Sequence, residues 1–357
     1  MLTVSAIIPV CDGRAFIGDA LDAVLGQTRP PEEIIVVDDG STDGTAAWVE
    51  ERYRGAGDHP RVRVVRQANQ GVAAARNLGA AEARGDYLAL CDADDVWLPR
   101  KLETQLSVIE RLVREGGDPP PALGSSRLPL VPDGRMERAV ARAWKGRATP
   151  RPLPGSALRP GRRSRPARPA HPTQKIRGLR PLTVAEVLMG CDVMPSSVMI
   201  RRDVFDALGG FDPALRRGSE DFDFWLRLAI GGRFLCLPEP VFLYRVRAGS
   251  VSSDPDGVAA AQTALLRKWS PVAAPEVVDA ALYRRACTKQ ALYVAYRYGL
   301  AGRTPPASFL SDFLAEFPTA GPLASVAGFG LWLARRYPRF LVGASRIYGW
   351  VKGRGRA

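Results

Sequence analysis

The stretch "DYLALCDADDVW" (86–97) sets an apolar run directly before three aspartates within four positions. Tyr87, Leu88, Ala89 and Leu90 read as a short buried strand that the charged residues terminate. Carboxylates this close repel one another, and placing them beside a hydrophobic strand is costly unless a cation meets them. The same arrangement occurs upstream, where "EIIVVDDGSTDGT" (33–45) is an apolar strand ending in Asp38 and Asp39. Two strands that finish in acids and then enter capped helices point to a repeated strand–helix unit.

The flanking sequence supplies the rest of that pattern. "VSAII" (4–8) is a strand, and "MLTVSAIIPV" reads as a buried opening strand with no basic leader. Phe16, Ile17, Ala20, Leu21, Val24 and Leu25 form one helical face. "VRVVR" (62–66) is a third strand, "GVAAARNLGAAEA" (71–83) an alanine-rich helix, and a further helix runs from near Arg100 to about Arg114. The expected class is α/β, with a mainly parallel sheet covered by helices on both faces. Ligands of such sheets bind at the carboxyl ends of the strands.

Residues 118–180 interrupt the pattern. They hold 12 prolines, and 15 Lys and Arg against 3 Asp and Glu, which is +12 of the chain's +13. That composition predicts an extended or disordered basic insertion, with a short helix around Met136 to Trp144. Basicity is thus a property of one segment. Structure resumes with "SSVMIRR" (196–202), "DVFDAL" (203–208), a helix "SEDFDFWLRLAI" (219–230), and two late strands, "RFLCLP" (233–238) and "VFLYRVR" (241–247). From about Val258 the pattern is helical. The expected division is 1–117, 118–180, 181–254 and 255–357.

Composition narrows the chemistry. The five cysteines form no CxxC pair and fit reduced thiols in a cytoplasmic setting. His59 and His171 both precede prolines in loop-like sequence, so acid–base or metal chemistry rests on carboxylates. The uncharged run 317–334 is broken by Pro318, Gly321, Pro322, Gly328 and Gly330, against a membrane span. Trp332, Arg335, Arg336, Tyr337, Arg339 and Phe340 then mix aromatic and basic character, which suits peripheral contact with an anionic membrane as well as a helical cap on the core. The basic insertion has almost no interleaved aromatics, Trp144 being the exception, and no specific nucleic-acid partner is expected.

Four groups carry candidate chemistry. Asp38 or Asp39 can accept from a base N–H, with Gly40 allowing a close turn. In "CDADD" (91–95), an Asp-x-Asp turn can set two carboxylates on one side, where Mg²⁺ or Mn²⁺ would remove their repulsion and hold a diphosphate opposite. Arg76 can neutralise phosphate at the same edge. Glu220 and Asp221 start a helix, whose dipole favours their ionised, proton-accepting form.

In their order and spacing, "SAIIPV", "LGQTRPPEEIIVVDDGSTDGT", "NQGVAAARNLGAAEARGDYLALCDADDVWLPRKLE", "SSVMIRRDVFDALGGFD" and "SEDFDFWLRLA" resemble the family 2 glycosyltransferases of the GT-A fold. The resemblance implies that Pro9 lines the nucleotide pocket, Asp39 contacts the base and Arg76 sits near the nucleotide. It implies further that Asp92 contacts ribose or donor sugar, Asp94 ligates Mg²⁺ or Mn²⁺, and Asp221 is the general base. It also implies a nucleoside-diphosphate sugar donor, a glycan or lipid-linked acceptor, and inversion by a single displacement. Cys11 and Asp12 stand where the family usually has an aromatic residue and Asn. Arg247 stands where many members have His, so altered contacts to base and diphosphate are implied. No Gln-x-x-Arg-Trp run follows the base, which favours one sugar per encounter. The alternatives are a degenerate member serving as a sugar-nucleotide scaffold or sensor, and an aspartyl-phosphate phosphatase with Asp92 as nucleophile. A dinucleotide dehydrogenase is disfavoured, since no G-x-G-x-x-G follows an early strand.

Overall fold

The alternation of strands and helices appears in the computed structural model as a large, mainly parallel sheet. Residues 2–54, 61–126, 129–144, 178–216, 218–232, 234–247, 249–250, 253–271, 273–303, 305–306, 312–313 and 316–317 are described. The strands are β1 (Val4–Val10), β2 (Glu33–Asp39), β3 (Arg61–Gln67), β4 (Tyr87–Leu90), β5 (Val96–Trp97), β6 (Ala122–Ser125), β7 (Leu130–Pro132), β8 (Arg180–Pro181), β9 (Met199–Arg201), β10 (Phe234–Leu237) and β11 (Phe242–Val246). The helices are α1 (Ile17–Leu25), α2 (Thr45–Tyr53), α3 (Val72–Glu82), α4 (Lys101–Arg114), α5 (Asp133–Ala143), α6 (Val184–Leu188), α7 (Arg202–Ala207), α8 (Glu220–Ile230), α9 (Pro255–Lys268) and α10 (Ala280–Leu300).

The main sheet runs β3-β2-β1-β4-β9-β6-β10-β8, and a smaller sheet runs β5-β11-β7. Strands β1 to β4 are mutually parallel, while β9 is antiparallel to both β4 and β6. Every residue of β1 is buried, as a strand covered on both faces requires. On one face Ala6, Ile8, Ile34 and Val36 pack with Ile17, Leu21 and Val24 of α1 and Leu102 and Leu106 of α4. On the other, Gly79 of α3 stands so close that an added Cβ would lie 2.5 Å from Ile7 Cγ2. Helices on both faces are therefore as expected.

One boundary differs from the sequence expectation. Ala122–Ser125, inside the stretch expected to be a basic insertion, is strand β6 in the middle of the main sheet. Ala122 and Leu123 are fully buried, and the preceding prolines serve as acceptors: Tyr87 Oη donates to Pro120 O at 3.1 Å and Arg201 N to Pro121 O at 2.8 Å. A proline-rich border masks a short apolar core strand in a compositional reading. The expected short helix is present as α5, starting at Asp133. Most of the Pro/Arg-rich run (145–177) and the tail on which membrane contact was read (318–357) lie outside the described residues.

The chain divides into two units. One comprises Met1–Thr183, Asp192–Arg216 and Phe224–Arg247; the other comprises Val184–Cys191, Arg217–Asp223 and Ala248–Ala357. The first holds both sheets. The second holds α9 and α10, each capped by an aspartate: Asp254 accepts from Asp256 N and Gly257 N, and Asp279 from Ala281 N and Leu282 N. Among the described residues no helix is long and apolar enough to cross a membrane.

A buried lysine sets a pH dependence. Lys101 is 1% exposed, donates from Nζ to Gln105 Oε1 at 2.7 Å, and lies 4.3 Å from the centre of the Trp97 ring. Burial pulls its ammonium from 10.5 down to about 7. Between those values the unfolded chain keeps a proton that the folded chain has released, so stability rises with pH across that window and is lowest below it. Urea unfolding is expected to give about 1–2 kcal/mol more stability at pH 8.5 than at pH 6.5. Lys101→Met should flatten that rise; an unchanged slope would remove Lys101 as its source.

Candidate active site

The carboxyl ends of β1, β2 and β4 lie side by side, because β1 pairs in parallel with both others. The acids that end β2 and follow β4 are brought together at this edge, but they divide into anchors and exposed groups. Asp38 Oδ1 accepts from Ser41 N at 2.7 Å and closes the turn after β2. Asp39 accepts from Gln67 Nε2 and Gln70 N at Oδ1, both at 2.7 Å, and from Gly71 N at Oδ2 at 2.8 Å. Its carboxylate, 4% exposed, thus ties β2 to the loop entering α3. The sequence offers Asp38 or Asp39 to a base N–H, and in the structure both carboxylates already accept hydrogen bonds within the protein. Gly40 has φ +78°, and a Cβ there would meet Asn69 N at 2.8 Å, so this turn needs glycine on both counts.

Pro9 is buried in β1, one residue before its end. Cys11 is exposed beyond it and accepts from Asn69 Nδ2 at 3.2 Å. Burial, then the neighbouring Asp12 carboxylate, pushes its thiol up. Asp12, with φ 49°, fastens the first loop to the second: its Oδ1 accepts from Thr42 N at 2.7 Å and Asp43 N at 3.2 Å, and its own N donates to Ser41 Oγ at 2.9 Å.

The "CDADD" turn carries the densest charge. Asp95, 1% exposed, is an internal anchor: Oδ2 accepts from Ser196 Oγ at 2.6 Å and Oδ1 from Arg245 N at 3.1 Å. Burial, reinforced by Asp92 and Asp94, pushes its carboxyl well up. Asp92 N donates to the same Ser196 Oγ at 2.9 Å, so β9's approach pins both ends of the turn. Asp92 and Asp94 keep side chains 27% and 24% exposed.

Each of those two carboxylates meets its own guanidinium. Arg76 Nη2 donates to Asp92 Oδ1 at 2.7 Å, with Arg76 itself 3% exposed over the Phe211 ring at 5.3 Å. Asn77 exchanges two hydrogen bonds of 2.8 Å with the Phe211 backbone, which fixes that platform. Arg247 Nε donates to Asp94 Oδ2 at 2.8 Å. Burial, then repulsion from Asp92, raises the Asp94 carboxyl, and Arg247 offsets part of that.

Arg245 was missed in the sequence. It is 6% exposed, and donates from Nε to Asp94 O at 2.9 Å, from Nη1 to Asp133 and from Nη2 to Asp19, both at 2.7 Å. A signal was present: Arg245 and Arg247 are two apart in "YRVR", so a strand directs both to one face. Both lie over the Phe16 ring, at 5.3 and 4.7 Å.

Glu220 and Asp221 open α8 in the second unit and are 5% and 9% exposed. Asp221 Oδ1 accepts from Phe222 N at 2.8 Å. Asp223, fully buried, is consumed by packing, accepting from Trp269 Nε1 and pairing with Lys268 Nζ, both at 2.9 Å.

Among the described residues no group of three or more His, Cys, Asp or Glu side chains is close enough to enclose a metal ion. A hard dication held by one or two carboxylates completes its shell with water and phosphate oxygens. Asp92 and Asp94, oxygen donors on one turn and each about a quarter exposed, fit Mg²⁺ or Mn²⁺ in that mode.

Comparison with known proteins follows the same residues. Residues 5–115 match the family described as Glycosyl transferase family 2, and 171–276 match Glycosyltransferase like family 2. An uncharacterized glycosyltransferase of Nostoc sp. is 38% identical over 109 residues, 30% of this chain and 33% of that protein. The putative teichuronic acid biosynthesis glycosyltransferase TuaG of Bacillus subtilis is 42% identical over 103 residues, 29% of this chain and 40% of that protein. The match therefore spans well under half of either relative. A mannosyltransferase of Pyrobaculum calidifontis, solved with GDP-Man and Mn²⁺, shares the fold with a TM-score of 0.54 at 19% identity over 99% of this chain and 88% of that one.

Proposed function

From the likeness of residues 5–115 and 171–276 to family 2 glycosyltransferases, we propose that the chain moves one sugar from a nucleoside-diphosphate sugar to a hydroxyl of a cell-surface polysaccharide or lipid-linked glycan precursor, with inversion. The observation that carries this reading is the Asp92–Asp94 turn at the carboxyl end of β4, with one arginine on each carboxylate at the edge where parallel sheets bind ligands. The cell-surface acceptor is drawn from the relative named for teichuronic acid biosynthesis.

Asp221 takes the proton of the acceptor hydroxyl as its oxygen attacks C1 of the donor sugar. The bond from C1 to the diphosphate oxygen breaks on the opposite side, and its electron pair leaves with the nucleoside diphosphate. Glu220 is the neighbouring acid that this role sets aside. Pro9 and Asp39 border the base, Asp39 acting through the loop it holds as well as through its remaining acceptor capacity. Asp92 faces ribose or donor sugar, and Arg76 keeps it oriented. Mg²⁺ or Mn²⁺, held by Asp94 beside Asp92, would supply Lewis-acid neutralisation of the leaving diphosphate. A peripheral station on the inner face of an anionic membrane accords with the basic insertion and tail and with a lipid-linked acceptor.

A panel of sugar nucleotides with Mg²⁺ or Mn²⁺, scored for thermal stabilisation and donor hydrolysis, tests this. Stabilisation with turnover for at least one donor is expected. Ion-dependent nucleotide binding with no turnover of any donor would move the protein to the sensor reading, which the existing Arg247–Asp94 neutralisation favours. No binding of any donor would overturn both.

A further inference from the structure

Helices α2 and α3 are entered through glycines with positive φ, Gly44 at 80° and Gly71 at 90°. Helix α8 is entered in the same way through a residue that is not glycine. Ser219 has φ 67°, and its carbonyl oxygen accepts the first bond of the helix, from Asp223 N at 3.0 Å. A Cβ in that region is strained, and glycine would remove the strain. Among the described residues the other non-glycine with positive φ is Asp12, whose carboxylate fastens a second loop. Ser219 also fastens: it is 7% exposed, and its Oγ accepts from Gln262 Nε2 of α9 at 3.2 Å. Gln262 is 6% exposed, and its Oε1 is buried with no hydrogen-bond partner among the described residues. A buried amide carbonyl in that state costs stability, and a methionine of similar length would fill the place without it. What glutamine adds here is the N–H on Ser219. Backbone strain at one residue and an unmet acceptor at the other meet in a single hydrogen bond, as at segments held for function. Seven residues along the same face of α9, Trp269 Nε1 donates to Asp223 Oδ1 at 2.9 Å, beside Lys268 Nζ at 2.9 Å. Helix α9 thus grips the first turn of α8 at Ser219 and at Asp223, all within one unit, and Asp221 lies between the two grips.

We propose that Gln262 is a positioning residue for Asp221: by holding Ser219 in its left-handed conformation it fixes the direction in which the Asp221 carboxylate leaves α8. The inference rests on the reading of Asp221 as the general base. The helical period sets Asp221 about 200° round the axis from Asp223. With Ser219 and Asp223 both tied to α9, the turn cannot rotate, and the carboxylate keeps its line to the acceptor hydroxyl. Released from Gln262, Ser219 relaxes toward the negative φ usual for a residue that opens a helix, and the turn shifts with it. A displacement of about 1 Å at a reacting group costs up to about 10²-fold in rate. Gln262 is itself buried, so it acts through Ser219 and not on the acceptor.

Gln262→Met on the full chain tests this, because it keeps the packing and removes the donor. It should lower kcat about 10- to 100-fold, leave the donor KM within about threefold and leave the melting temperature unchanged or higher. Amide hydrogen exchange across 219–225, which needs no turnover, should quicken about tenfold. Ser219→Ala, which removes the acceptor and keeps the Cβ, should reproduce both effects and add nothing further to Gln262→Met. Ser219→Gly placed in the Gln262→Met protein should bring kcat back to within about fivefold of wild type and slow the exchange again, since glycine holds the left-handed conformation unaided. A role in packing alone would instead lower the melting temperature and would not be rescued by glycine. In an Asp221→Asn background Gln262→Met should change kcat by less than about threefold. Unchanged kcat and exchange in Gln262→Met, no rescue by Ser219→Gly, or an undiminished effect without Asp221 would each overturn the inference. If Asp221→Asn by itself keeps full kcat, the base reading fails, and the exchange comparison still decides whether Gln262 holds Ser219.

Discussion

Replacing Asp221 by Asn is expected to lower kcat for glycosyl transfer by about 10²–10⁴-fold while leaving donor affinity within a few-fold of wild type. The amide has the shape of the carboxylate but cannot take up a proton. Asp221 stands in the first turn of α8, where the helix dipole favours the ionised form. Its backbone-facing oxygen accepts from Phe222 N, a contact the Asn carbonyl oxygen can keep, so the helix start should survive. Nearby Asp223 provides the contrast. It holds Trp269 and Lys268, and Asp223→Ala should lower the melting temperature. The assay is steady-state transfer with the donor found in the panel, supported by donor titration and by circular dichroism. Retention of kcat within about threefold would show that the proton goes elsewhere, and Glu220→Gln would be the next variant.

The second large effect is expected at Asp94. Asp94→Asn should lower kcat/KM by about 10²–10⁴-fold, since an ion at a leaving diphosphate is worth several kcal/mol of transition-state stabilisation and each ~1.4 kcal/mol is tenfold. It should also abolish the dependence of nucleotide binding on Mn²⁺. The loss should reach binding as well as chemistry, which separates this variant from Asp221→Asn. Asp95→Asn separates it from a folding defect: Asp95 is buried against Ser196 and Arg245, so its replacement should lower stability and leave Mn²⁺ binding nearly unchanged. Full Mn²⁺-dependent nucleotide binding by Asp94→Asn would remove this residue from the ion site.

The legible parts of the site share one property. Asp38, Asp39, Asp92, Asp94 and Asp95 each follow an apolar strand, and the parallel order of β2, β1 and β4 carries all of them to one edge. The likeness to family 2 glycosyltransferases read from "VVDDGSTDGT", "CDADD" and "SEDFDFW" recurs in the two matching segments, 5–115 and 171–276. Less legible was which aspartate is exposed and which is an anchor. Asp39 and Asp95 look like Asp94 in the sequence, but their partners are Gly71, Gln70, Ser196 and Arg245, supplied by other loops and strands.

Local periodicity is a property of neighbouring residues, so the sequence alone determined the strand–helix alternation, the buried opening strand β1 and the helical pattern from about Val258. Long-range pairing decided the rest. Arg247 reaches Asp94 across 153 positions and Ser196 reaches Asp95 across 101, because β11 adds Val96 to its sheet and β9 lies beside β4. Only the order of strands in the sheets brings such residues within a hydrogen bond, and that order is set by burial of whole elements rather than by any spacing along the chain.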